Sequence, residues 1–282
     1  MKRMLPGAAA LAAIALLTML SGCARAQAAD DPILPDDQTA QSGEIAPDTE
    51  TPDGETADPQ PEEPDAPAAM LTGTVVKVER STFLLASDDG LYTVSLGVPV
   101  LSADGRQTDA AVENGMRVAV YYSGSIAEIY PARPDGVTDV QILSDADDRV
   151  GLYLRALDDL WGEDTALNEG LDYLAFSLGG ATNLSAGEKE AFSYLAAEKY
   201  DLLPITGTFD ELCDEGYIDR DALYFENGLL IELTVCEETE DGFTFDLTKW
   251  RGGLAAYTYY GCTAARGADG KWTYEVGAEM IS

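Results

Sequence analysis

Residues 144–161 read SDADDRVGLYLRALDDLW, and the fold turns on them. Val150, Tyr153, Leu154, Leu157, Leu160 and Trp161 recur every three to four positions, which predicts a helix with one apolar face from Asp147 to Trp161. Nothing between residues 70 and 144 has that period. There the apolar residues alternate or fall in short runs: Thr72 to Val78, Phe83 to Ala86, Leu91 to Leu96, Val98 to Leu101, Met116 to Tyr122, Ser125 to Tyr130 and Val137 to Leu143. Turn signals such as Asp88-Asp89-Gly90, Ala103-Asp104-Gly105 and Ser123-Gly124 separate them. A boundary is therefore expected at residue 144, with an all-β domain over 70–144 and an α+β domain over 145–282.

Beyond the first helix, Leu167 to Leu178 reads as a second, stopped by Gly179-Gly180. Ser185-Ala186-Gly187-Glu188 and Thr208-Phe209-Asp210-Glu211 are capping boxes, each opening a helix. The remainder alternates as an antiparallel meander: Ile231, Leu233 and Val235, then Phe243, Phe245 and Leu247, then Leu254 to Thr263, then Lys271 to Val276. Helices followed by a meander is an α+β order.

Short strands with glycine-rich turns suggest a small closed barrel in the first domain. Gly73-Thr74-Val75-Val76 together with Asn114-Gly115-Met116-Arg117-Val118-Ala119-Val120 resembles the OB-like barrels of small lipoproteins of Gram-positive bacteria. The element order of the second domain is similar to the cystatin-like and nuclear-transport-factor-like cones, in which helices pack on a curved sheet.

The N-terminus carries its own signal. Lys2 and Arg3 precede a nearly unbroken apolar run from Leu5 to Leu20, too short to span a bilayer comfortably. It ends at Leu20-Ser21-Gly22-Cys23, which resembles a bacterial lipobox. The resemblance implies a signal peptide over residues 1–22, cleaved before a lipidated Cys23. Two acyl chains anchor a protein stably where one is marginal. The expected location is therefore the extracytoplasmic face of the cell membrane, held by lipid on Cys23.

Residues 23–69 then form the lipidated N-terminus and a linker. Between Asp30 and Asp65 there are 13 acidic residues and no Lys or Arg, with eight prolines from Pro32 to Pro67. Such a stretch buries too little apolar area to offset ordering entropy and is expected to be a disordered spacer. Fully extended, it would reach roughly 130 Å.

Of 282 residues, 51 are Asp or Glu, 17 are Lys or Arg and none is His, for a net charge of −34. The missing histidine excludes Ser-His-Asp and Cys-His catalysis and imidazole metal sites. Residues 70–282 alone keep 38 acids against 14 bases. That field opposes nucleic acid, and the bases Lys77, Arg80, Arg106, Arg117 and Arg133 are scattered, so no nucleic-acid partner is expected.

Carboxylate pairs remain a route to catalysis, since glycoside hydrolysis needs no more than two acids. Asp158/Asp159, Asp210/Glu211, Asp214/Glu215 and Glu237/Glu238 are adjacent acids, which so acidic a composition produces without selection for chemistry. Residues 144–148 and 237–242 are oxygen-rich, yet neither has the calcium-loop spacing, so no metal and no cofactor is expected. Cys213, Cys236 and Cys262 are an odd set, expected as buried thiols, with a Cys236–Cys262 bridge as the alternative. Trp250, Arg251, Tyr257, Tyr259 and Trp272 concentrate in the last strands. They form a candidate ligand face, weighed against ordinary sheet packing.

The expected function is a non-catalytic, membrane-anchored lipoprotein presenting two small domains to an unknown protein or envelope-polymer partner. The alternative is a carboxylate-based cell-wall or glycan hydrolase, or its accessory subunit.

Overall fold

The computed structural model describes residues 69–239 and 242–282. Cys23, the signal segment and nearly all of the linker lie outside the described residues. The protein is mostly β, with three α-helices among the described residues, all of which belong to one compact unit.

The first part is all strand: β1 (Ala69–Val78), β2 (Thr82–Ser87), β3 (Gly90–Ser95), β4 (Val100–Leu101), β5 (Gln107–Thr108), β6 (Arg117–Tyr122), β7 (Ile126–Ala127), β8 (Arg133–Pro134) and β9 (Asp139–Ile142). Seven of them form one sheet in the order β3-β2-β1-β6-β9-β4-β5, while β7 and β8 make a small hairpin. No ladder among the described residues joins β3 to β5, so the hydrogen-bonded path is open rather than a closed barrel.

The second part runs α1 (Arg149–Gly162), β10 (Tyr173–Ser177), α2 (Ala186–Tyr200), β11 (Leu203–Thr206), α3 (Phe209–Asp214), β12 (Gly228–Glu238), β13 (Gly242–Gly252), β14 (Ala255–Arg266), β15 (Trp272–Glu275) and β16 (Ala278–Ile281). The sheet order is β11-β10-β12-β13-β14-β15, with β16 also paired to β14. β12 to β16 are the expected antiparallel meander. The sheet is nevertheless mixed, because β10 runs parallel to both β11 and β12.

The segment 167–178 is therefore not a helix. A short 3₁₀ turn, Thr165–Asn168, leads into β10, where Leu174, Ala175 and Phe176 are all buried. A central parallel strand is covered on both faces, so it reads as a continuous apolar run, and periodicity does not separate such a run from a buried helix.

The core crosses residue 144. Strand β2 is buried over five consecutive residues, not on alternate ones. Phe83 and Leu85 face a cluster inside the first sheet with Val75, Val94, Val118 and Val140. Leu84 and Ala86 face the other way, into a core shared with Val76, Leu91 and the apolar faces of α1 and α2. Strand alternation sends Val75 of β1 to one core and Val76 to the other. Helix α2 thus lies between the two sheets.

Helix α1 forms where the sequence predicts it. Asp148 caps it by accepting the Gly151 amide at 2.9 Å, and Val150, Tyr153, Leu157 and Leu160 form the buried face. Its entry is pressed against Gly115, whose φ is +84° and where a Cβ would stand 2.3 Å from the Asp148 nitrogen. Glycine is required there on both counts.

Candidate functional site

Strands β10 and β11 are adjacent and parallel, but their C-terminal ends send the chain to opposite faces of the sheet. From β10 it passes through α2, on the face carrying Leu174 and Phe176. From β11 it passes through α3, on the face carrying Ala175 and Leu230, to reach β12 on the far side of β10. Such a switch of direction opens a crevice beyond the strand ends.

A cleft of about 660 Å³ occupies that position. Phe176, Pro204 and Thr206 belong to its floor and edge, and the exposed side of α2 forms its wall with Lys189, Glu190 and Tyr194. The cleft stays open because α2 is drawn toward the first sheet. Its first turn meets the end of β2 at Gly187, where a Cβ would stand 2.2 Å from the Ser87 carbonyl oxygen. Edge strand β11 is left largely uncovered.

Tyr130 reaches the cleft from the loop between β7 and β8. Its hydroxyl donates to Glu190 Oε1 at 2.9 Å, and its ring meets Tyr194 edge-on with centroids 5.5 Å apart. Burial, reinforced by the Glu190 carboxylate, pushes the Tyr130 phenol well above its ordinary range. Burial also raises that of Tyr194. At the other end, Glu211 closes the capping box of α3: its Oε2 accepts the Thr208 amide at 2.8 Å and the Thr208 hydroxyl at 2.9 Å. Those bonds, the amide first, hold the Glu211 carboxyl below the usual range.

The aromatic set singled out from the sequence is not brought together on one face. Tyr257 and Tyr259 are buried against the helices, opposite Lys249 and Leu247 in the β13–β14 ladder. Trp272 is buried in the same core, its Nε1 donating to Asp147 Oδ1 at 2.5 Å. Trp250 points to the other face, edge-on to Phe209 at 5.3 Å. Arg251 donates to the carbonyls of Leu167, Glu169 and Glu226 at 3.0, 2.6 and 2.9 Å, so its guanidinium ties the turn at 165–169 to the segment preceding β12.

At least one acid of each adjacent pair has a structural partner. Asp158 pairs with Lys199 at 2.5 Å, Asp159 accepts from the Tyr274 hydroxyl, and Asp210 and Asp214 both hold Arg220. Glu238 pairs with Arg149 at 2.6 Å. In the 144–148 loop, Asp147 is held by Arg149 and Trp272, and Asp148 caps α1. Residues 240 and 241 of the other oxygen-rich loop lie outside the described residues. No cluster suited to a metal ion occurs among the described residues. Cys213, Cys236 and Cys262 are all free thiols, but only Cys262 is buried as expected: Cys213 is half-buried and Cys236, near the end of β12, is exposed.

Tyr130, Lys189, Glu190 and Tyr194 were not legible as a site. The available signal was a short strand on either side of the α2 capping box, and reading 167–178 as helix hides it. The chain matches no protein-family model, no curated protein and no solved structure.

Proposed function

We propose that this chain is a membrane-tethered, extracytoplasmic binding protein without catalytic activity, held by lipid on Cys23 and using the cleft between α2 and β11 to take its partner. The observation that carries the reading is the position of that cleft. It opens beyond the ends of parallel strands, has an apolar floor and aromatic wall, and is about 660 Å³, within the range of ligand sites. Among the described residues no helix is long and apolar enough to cross a membrane.

In this reading the first part is an OB-like domain serving as a curved platform. Support comes from the single core that β1, β2, β3, β6 and β9 enclose, with Val100 of β4 and the preceding Val98 packing against it. The second part is the ligand-bearing α+β domain.

The hydrolase reading finds less support. Glu190 and Glu211 both line the cleft, but Glu211, which could serve only as the ionised member of such a pair, already has a structural role in the α3 capping box, and Glu190 accepts from Tyr130.

The test is a photo-crosslinking residue at Thr206, used in intact cells, with a second at Asp104 as control. Adducts unique to Thr206, together with loss of membrane attachment in Cys23→Ala, are expected. Equal labelling at both positions, or unchanged membrane fractionation of cleaved Cys23→Ala, would overturn the reading.

A further inference from the structure

We propose that the cleft binds a short free peptide with a large apolar side chain, recognised through both its ammonium and its carboxylate. This rests on the binding role assigned to the cleft and names its ligand.

Main-chain recognition comes from the open edge of β11. The amides of Leu203 and Gly207 donate to Asp172 and Phe176 at 2.9 and 3.1 Å, so alternate residues of β11 bond inward to β10. The residues between them point off the sheet, presenting the Pro204 carbonyl and both backbone groups of Thr206. An extended peptide laid beside them adds a short stretch of ladder. Pro204 has no N–H, which stops that ladder after a few residues and disfavours a long strand or a second copy of this chain on the same edge.

Side-chain recognition comes from Phe176, Leu178, Pro204 and Tyr194, which line the cleft and suit one bulky apolar group. Charge recognition comes from Lys189 and Glu190. They are neighbours on α2, both line the cleft, and they form no ion pair with each other or with any other described residue. Glu190 uses Oε1 to accept from Tyr130 and has Oε2 left. Glu211 accepts from Thr208 through Oε2 alone and so is a second carboxylate on the cleft, at its α3 end, away from the Lys189–Glu190 pair on α2.

The cleft therefore carries one positive charge, Lys189, and two carboxylates, of which Glu190 is consecutive with Lys189 on α2. A simple anion meets Glu190 and a chain of net charge −34, and a simple cation meets Lys189. A zwitterion satisfies both. Its carboxylate lies at Lys189 Nζ, and its ammonium lies at Glu190 beside the rings of Tyr130 and Tyr194.

The experiment is calorimetric titration of the full chain with phenylalanyl-phenylalanine, its N-acetyl form and its C-terminal amide. Binding of the free dipeptide is expected, with each blocked form weaker by about tenfold or more, the scale of one hydrogen bond to a charged group. In Lys189→Met the free acid and the amide should bind alike. In Glu190→Gln the free amine and the acetyl form should bind alike. Absence of binding, or blocked forms binding as tightly as the free dipeptide, would overturn the assignment. If the dipeptide fails while Thr206 still captures a specific partner in cells, the peptide assignment falls and the binding role stands. If both fail, both fall.

Discussion

Gly187, in the first turn of α2, lies against the Ser87 carbonyl at the end of β2, so close that a Cβ would come within 2.2 Å of the oxygen. The obstacle is backbone and has no flexible end to swing aside. Gly187→Ala must push α2 off the first sheet, at a cost of about 1–3 kcal/mol typical of overpacking. Urea denaturation should show a lower midpoint with an unchanged slope. An unchanged midpoint would mean that α2 is not seated on β2 as described.

Lys249 is fully buried under the C-terminal end of α1. Its ammonium donates to the Glu163 carbonyl, with the Asp164 carbonyl and Asn168 Oδ1 at 3.4 and 3.3 Å. Burial outweighs the nearby Asp164 and Glu163 charges and brings its pKa down to about 8, from 10.5 in an exposed lysine. Between those two values the unfolded chain binds more protons than the native one, so stability rises with pH across that window. Higher still, the trend reverses. A hydrogen bond to Glu279 raises Tyr257 to about 12, and burial raises Tyr259 to about 12, so their contribution is lost as pH climbs from 10 through 12. Denaturation midpoints from pH 7 to 9, below the range where Cys262 and the tyrosines act in the opposite sense, should show the rise, and Lys249→Met should flatten it. A rise that survives in the variant would place its origin elsewhere.

Arg149 is held on four sides. Its guanidinium lies 5.7 Å from the Phe243 ring and 5.6 Å from the Trp272 ring, and it bridges Asp147 at 3.1 Å to Glu238 at 2.6 Å. A lysine keeps the charge but not the planar fork that stacks and bridges at once. Arg149→Lys should cost about 1–2 kcal/mol, the scale of one or two net hydrogen bonds, and red-shift the emission of Trp272. Stability equal to the parent would reduce the contact to surface pairing.

The thiols should separate by exposure. Cys236 is exposed, Cys213 half-buried and Cys262 buried, with burial pushing Cys262 up to about 11. At pH 8 a maleimide should modify Cys236 first and Cys262 only as fast as the protein opens. Rapid modification of Cys262 would show that the sheet packs less tightly there than described.

Elements that carry their own local signals are where the sequence places them. Helix α1 follows its apolar period, and α2 and α3 start at Ser185 and Thr208, where both capping boxes close. β12, β13 and β14 follow their alternation. Features that depend on what lies across the molecule were not readable. Leu174-Ala175-Phe176 is apolar because sheet neighbours and helices cover it, and Leu203 to Thr206 is too short and too exposed to announce a strand. Those two segments frame the cleft, so misreading them conceals it. The tyrosines and tryptophans of the last strands were visible as residues, but their division between two faces follows from the ladder register, in which Trp250 opposes Ala256 and Lys249 opposes Tyr257. Phe83 to Ala86 did hold a clue to the shared core, since a strand apolar at every position has no face left for water.

The place where the chain enters the described fold has a mechanical consequence. β1 begins at Ala69 and is central, laddered to β6 from Ala69↔Tyr122 onward and to β2 from Thr74↔Ala86 onward. Tension arriving through the residues before it is divided between two rows of hydrogen bonds and met by Val75 in one core and Val76 in the other. A strand so placed resists extraction better than an edge strand would.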